Sequence, residues 1–149
     1  MSMEVREIPT DEQTAWDELV GSSPQGNIFL THELQSVWCE TDPALHLVRL
    51  GCFDGSGRLV AGQPIFFKKK FGLRIPFIPR VFYATTPVLS FTIQQDRERQ
   101  YLALSALARA SQSHFPFIKI EAHPNLMDVR PYLEQGWRAH PKYIHIWNI

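Results

Sequence analysis

Four residues, Asp54-Gly55-Ser56-Gly57, do most to limit what this chain can become. They stand between two runs of apolar and β-branched residues, Leu45–Phe53 and 59–67. A short Asp/Gly/Ser cluster between alternating runs reads as a β-hairpin turn, because glycine supplies the positive φ angles that tight turns demand. An antiparallel pair is therefore expected near the middle of the chain. At 149 residues with 44% apolar content, the chain is expected to form one domain, 1–149, with a real core.

Helices are expected on either side of that pair. Thr10-Asp11-Glu12-Gln13 has the spacing of a capping box, with Trp16, Leu19 and Val20 lining one helical face behind it. Residues 21–27 stop this helix. Thr31 is placed to cap a second, on which Leu34, Val37 and Trp38 repeat the same spacing before Pro43. Residues 96–114 predict a long helix with Tyr101, Leu104, Leu107 and Ala108 as its buried stripe. Strands are expected at residues 5–8, 80–90, 117–120 and 143–149, the third-from-last of these bent or edged at Pro87. Asp128 is suited to cap a short helix in whose first turn Pro131 is tolerated, and Gly136 to end it. The expected architecture is α/β (α+β): a mixed, mostly antiparallel sheet flanked by helices.

Charge excludes some partners. Fifteen bases balance fifteen acids, so no DNA or other polyanion partner follows from the whole chain. The distribution is uneven: no acid lies between Asp54 and Asp96, where Arg58, Lys68, Lys69, Lys70, Arg74 and Arg80 all fall. No apolar run approaches the roughly 18 residues of a transmembrane segment, and the charged N-terminus lacks a signal-peptide core. Cys39 and Cys52 lack metal-ligand spacing and read as reduced packing thiols, which suits a cytoplasmic protein. No metal site is expected.

Several strings resemble FemAB-like proteins of the GNAT acyltransferase superfamily. They are Trp16-Asp17-Glu18-Leu19-Val20 with Gly26-Asn27-Ile28-Phe29-Leu30-Thr31, then Ala61-Gly62-Gln63-Pro64-Ile65 followed by Lys68-Lys69-Lys70-Phe71-Gly72 and Tyr83. Asp128-Val129-Arg130-Pro131-Tyr132, Gly136-Trp137 and Lys142-Tyr143 continue the resemblance, which spans about Trp16 to Ile149. It implies a GNAT-like domain matching the N-terminal half of a two-half transferase. In such enzymes acyl-CoA or aminoacyl-tRNA is the donor and an amine, in the peptidoglycan members a cell-wall precursor, is the acceptor. The implied role is acceptor binding, with a C-terminal GNAT-like half as partner. Rival readings are a stand-alone small N-acyltransferase with a degenerate donor loop, and a non-enzymatic interaction domain whose exposed sheet edge pairs with a second copy in a homodimer.

A donor pyrophosphate needs backbone N–H groups from a Gly-rich loop at a helix N-terminus. The corresponding residues 88–96 contain no glycine and end in Asp96, so this chain is expected to bind no cofactor itself. Acceptor-side candidates are Tyr83, Thr86 and Ser90 on the expected polar strand, Trp38 on a helix that borders the acceptor groove in the family, and Asp128 with Arg130. Glu121 and His123 can converge with the last pair at a strand end. The competing readings are strand propensity for the Thr and Tyr, core packing for Trp38, and a capping Asp128 paired to Arg130. Lys68, Lys69 and Lys70 are either phosphate-binding or a solvated, edge-protecting turn. No catalytic residue can be chosen by spacing.

Overall fold

The structure is a computed structural model, and it describes residues 2–81 and 83–144. Among the described residues five strands form one sheet: β1 (Glu4–Glu7), β2 (Leu45–Phe53), β3 (Leu59–Lys70), β4 (Leu73–Phe77) and β5 (Val88–Leu89). The order is β1-β2-β3-β4, with β5 also pairing to β3, and every pairing among the described residues is antiparallel. The helices are α1 (Gln13–Ser22), α2 (His32–Thr41), α3 (Phe91–Gln94), α4 (Arg97–His114) and α5 (Arg130–Leu133).

The central hairpin forms as its turn requires. Asp54 Oδ1 accepts from the N–H groups of Ser56 and Arg58, and Gly57 takes the left-handed conformation at φ 78°. Helix α4 is equally legible in the chain: Asp96 stands at its N-cap, and Leu104, Leu107 and Ala108 are buried. With Ala103 and Ala106 they cover one sheet face, packing with Leu50, Cys52, Ile65 and Phe67. Burial of the Cys52 thiol pushes its pKa up to about 12, as expected of a packing residue. Tyr101 is only half-buried, since its hydroxyl turns outward to Glu134.

The opposite face is covered by α1, where Trp16, Leu19 and Val20 pack with Ile8, Leu30 and Val88. Trp16 lies so close over the sheet that a Cβ at Gly62 would come within 2.5 Å of its ring. Its indole Nε1 donates to Leu30 O at 2.7 Å, which pins the ring.

Two caps differ from expectation. Thr10 and Gln13 form no capping box: a 3-10 turn over Thr10–Glu12 precedes α1, Pro9 takes the cap position and no side chain caps it. Thr31 occupies the N-cap of α2 but bonds backward, its Oγ1 donating to Ile28 O at 2.8 Å. The buried residue of α2 is Gln35, while Val37 is exposed and Leu34 and Trp38 half-buried. Gln35 is drawn in by Arg49 of β2, whose Nε donates to Gln35 Oε1 at 2.7 Å. A buried cation without a carboxylate in contact keeps the hydrogen bond it can get.

The larger corrections concern strands. The turn expected after the lysines does form, at residues 71–72 with both φ angles positive, Phe71 at 51° and Gly72 at 75°, but β4, a strand not expected, follows it directly. Among the described residues of 80–90, the expected strand is absent except for β5. Phe66 pairs with Phe77 and Gly62 with Val88, so four steps along β3 face eleven on its partner side. The chain from Phe77 to Val88 is thus seven residues longer than the stretch of β3 it spans. Pro79, Pro87 and the left-handed Tyr83 (φ 58°) are what an extended strand cannot hold there. Pro64 lies in the resulting gap on β3, where its missing N–H removes no bond to β4 or β5. Among the described residues, 117–120 also pair with no strand, and most of the closing segment expected to neighbour them lies outside those residues. Pro116 interrupts the entry to 117–120, and side-chain hydroxyls bond their continuation. Of the closing strand expected at 143–149, residues 143–144 are not in a strand and the rest lies outside the described residues.

Candidate functional site

The excursion between β4 and β5 builds a polar interior. Gln63 of β3, 1% exposed, donates from Nε2 to Thr85 O at 2.7 Å and to Pro64 O at 3.0 Å. Its amide takes the place of the ladder bonds that the excursion forgoes. The chain then turns, with Thr86 N–H donating to Tyr83 O at 3.3 Å. Thr85 and Thr86, 2% and 0% exposed, direct their hydroxyls at residues 121–123. Thr85 Oγ1 accepts from Glu121 N–H and Thr86 Oγ1 from His123 N–H, both at 2.9 Å. Two threonines thereby form a seam where two adjacent strands would otherwise exchange backbone bonds.

Tyr83 and His123 meet at the mouth of this seam, ring centroids 4.8 Å apart and edge to face. His123 Nδ1 accepts from Asn125 N–H at 3.0 Å, which places the neutral ring's proton on Nε2. Partial burial holds its pKa below the ordinary histidine value. A neutral His123 therefore offers an Nε2–H donor and has no free lone pair with which to act as a base. Glu121 is paired to Lys142 at 3.0 Å.

A second network ties the same region to the loop after α1. Gln25, fully buried, donates from Nε2 to Gln94 Oε1 (3.1 Å) and Asn125 O (3.4 Å). Its Oε1 accepts from Ser23 Oγ at 3.0 Å and from Leu89 N–H at 3.2 Å. Asn125 Nδ2 returns a bond to Pro24 O at 3.1 Å. Residues 23–25, β5, α3 and the 123–126 loop are thus held in one place by a satisfied amide network.

The residues singled out from sequence divide among five places. Tyr83 and Thr86 come together with Glu121 and His123, on a turn and not on a strand. Ser90 caps α3, its Oγ accepting from Ile93 N–H, and meets Thr92 Oγ1 at 3.1 Å. Trp38 stacks on Phe29 at 6.1 Å and contacts Phe66 at 5.6 Å. Asp128 and Arg130 bond each other: Arg130 donates from Nε and from a terminal nitrogen to both carboxylate oxygens, and its N–H donates to Asp128 Oδ1. Asp128 thus makes a local turn at the start of α5, while Val129 holds the cap position. That pairing, above all the side-chain hydrogen bond, lowers the Asp128 pKa and raises that of Arg130. Lys68 pairs with Asp42 at 2.7 Å, whereas Lys69 and Lys70 are exposed at the hairpin end. Gln25 and Gln63 carried no sequence signature beyond Gln63's place inside an apolar run.

At the start of α4 the backbone N–H groups are engaged by the chain itself. Asp96 Oδ1 accepts from the N–H groups of Glu98 and Arg99, each at 3.1 Å. An acidic cap completes the positive helix end and presents negative charge there. Among the described residues no group of three His, Cys, Asp or Glu side chains is arranged to hold a metal, and no helix is long and apolar enough to cross a membrane.

No protein-family model and no curated protein matches the sequence. Solved structures do resemble the fold. An acetyltransferase from Trypanosoma brucei is 16% identical, covers 99% of this chain and 100% of its own, and superposes with a TM-score of 0.53. An aminoglycoside antibiotic 6'-N-acetyltransferase from Acinetobacter baumannii is 10% identical over 99% of both chains, with a TM-score of 0.49. A conserved protein of unknown function from Enterococcus faecalis V583, a probable N-acyltransferase, is 17% identical over 74% of this chain and 27% of its own, with a TM-score of 0.38. An antiparallel sheet flanked by helices, similar over nearly its whole length to the trypanosomal enzyme, gives this chain the α/β fold of GNAT-type acetyltransferases.

Proposed function

We propose that this chain serves acyl or aminoacyl transfer to an amine as the acceptor-binding, FemAB-type half of the enzyme, without holding the donor itself. The observation that carries the reading is Asp96. Its carboxylate occupies the N-terminus of α4 within a glycine-free segment, where a donor pyrophosphate needs open N–H groups. The fold shared with an acetyltransferase supports the reaction class, and the resemblance to FemAB-like proteins supports the half and a cell-wall precursor as acceptor.

On this reading the seam binds the acceptor. His123 Nε2–H would donate to an acceptor carbonyl, and the Tyr83 ring beside it would pack on the acceptor's apolar part. Ser90 and Trp38 would extend the surface, the Asp128–Arg130 pair would hold its rim, and Lys68, Lys69 and Lys70 would meet phosphates of a nucleotide-linked acceptor. Catalysis would then rest on holding an amine against an activated carbonyl supplied by the partner half, a positioning effect that needs no covalent nucleophile.

A stand-alone N-acyltransferase is the second reading, favoured by one observation: the trypanosomal acetyltransferase matches this chain over the full length of both. NMR titration with an amine-bearing cell-wall precursor peptide tests the acceptor role. Shifts confined to Tyr83, Thr86, Glu121 and His123 are expected, and a titration that moves none of them overturns it.

A further inference from the structure

From the geometry of the β3–β4 hairpin we infer that its tip docks on a lipid bilayer carrying anionic headgroups. The inference does not depend on the acyl-transfer reading. The last rung between β3 and β2 is Lys68 opposite Leu45. Beyond it β3 and β4 pair only with each other, so residues 69–74 project from the sheet.

Two features of this projection work against its own stability. Phe71 stands at the first position of the two-residue turn with φ 51°, a conformation that glycine or asparagine adopts with less strain. Its ring is 93% exposed, with the Lys70 ammonium 5.7 Å from its centroid, so little packing compensates. Lys69 lies directly opposite Arg74 in the ladder, a like-charge pairing that is unfavourable in itself, while the Arg74 guanidinium lies over the Phe67 ring at 5.2 Å. A turn that merely joins two strands gains nothing from either. A surface that receives an aromatic ring between anionic groups gains from both.

The surroundings fit the same partner. Leu73, exposed like Phe71, Ile75 and Phe77 alternate along β4 and so share one face leading back from the tip. Lys69 and Lys70 flank the ring, and no acid occurs from residue 55 to 95. Asp42 offsets Lys68 only, at the base of the hairpin. An apolar apex with a basic collar is the arrangement that inserts shallowly at a headgroup boundary while its cations meet anionic lipid.

Vesicle co-sedimentation of the intact chain tests this, with phosphatidylcholine alone and with phosphatidylcholine containing about a third phosphatidylserine. Binding is expected to the mixed vesicles and to weaken as salt rises. Phe71→Asn, which suits the turn, should lower the partition coefficient about tenfold. Lys69→Ser and Lys70→Ser should each lower it about fivefold, the effect of roughly one surface charge. Thermal melting of each variant checks that the fold is kept. Equal binding to both vesicle types, or full binding by Phe71→Asn, overturns the proposal. So does retention of a transfer RNA through these lysines without vesicle binding, or self-association abolished by Phe71→Asn.

Discussion

Replacing Thr85 and Thr86 by valine would test the seam on which the candidate site rests. Valine keeps the branched shape and removes only the hydroxyls. Thr86→Val strands the His123 N–H, and Thr85→Val the Glu121 N–H, each now 2.9 Å from its acceptor. A buried donor left without a partner costs about 1–3 kcal/mol. Glu121 and His123 are half-buried, so water partly replaces the lost acceptor and Thr85→Val should cost about 1 kcal/mol. Thr86 also donates to Pro87 O at 3.2 Å and is fully buried, so Thr86→Val should cost about 2 kcal/mol. The two sites share one seam, so the double variant should depart from additivity by about 0.5 kcal/mol or more. Urea denaturation with a common m-value measures the losses, and amide exchange at Glu121 and His123 localises them. Thr86→Ser, which keeps the hydroxyl, should retain protection at His123. Unchanged protection at His123 in Thr86→Val, with stability within about 0.5 kcal/mol of the parent, would refute the reasoning.

Gly62→Ala drives a methyl to within 2.5 Å of the pinned Trp16 ring and should cost about 1–3 kcal/mol, while Gly55→Ala, with open space around it, should cost far less; equal denaturation midpoints would contradict this packing. His123 gives a pH signature. Its folded pKa lies below the unfolded value of 6.5, so its contribution is present above pH 6.5 and is lost as pH falls through the folded pKa. The parent should therefore lose more stability than His123→Gln between pH 7.5 and 5, and parallel curves would remove His123 from the account.

What the sequence made legible was set by local chemistry. The β2–β3 hairpin follows from two glycines and an aspartate that bonds its own turn, and α4 from an Asp cap and a periodic apolar face. The strand expected over 80–90 failed for the opposite reason. Val81, Tyr83, Thr85 and Thr86 have strand propensity, but that propensity expresses fit to a pleated, half-buried surface and not a backbone rule. Here Gln63, remote in sequence, supplies the bond that lets the segment leave the ladder. Residues 117–120 are in no strand among the described residues, and just beyond them two threonine hydroxyls take the N–H groups of Glu121 and His123. Thr86 was thus visible as a candidate while its task was not. Gln25 and Gln63 were hidden because a glutamine acquires meaning only from what surrounds it. Asp128 and Arg130, two apart and opposite in charge, were readable as a pair.

On the proposed reading, Asp96 closes the donor end of this GNAT-type fold by occupying the first N–H groups of α4. Isothermal calorimetry of acetyl-CoA against the intact chain measures this most directly. No saturable heat is expected at ligand concentrations up to about 1 mM, the upper end of ordinary enzyme–substrate affinities. Saturable binding in the micromolar range would contradict it and establish a donor site within this chain.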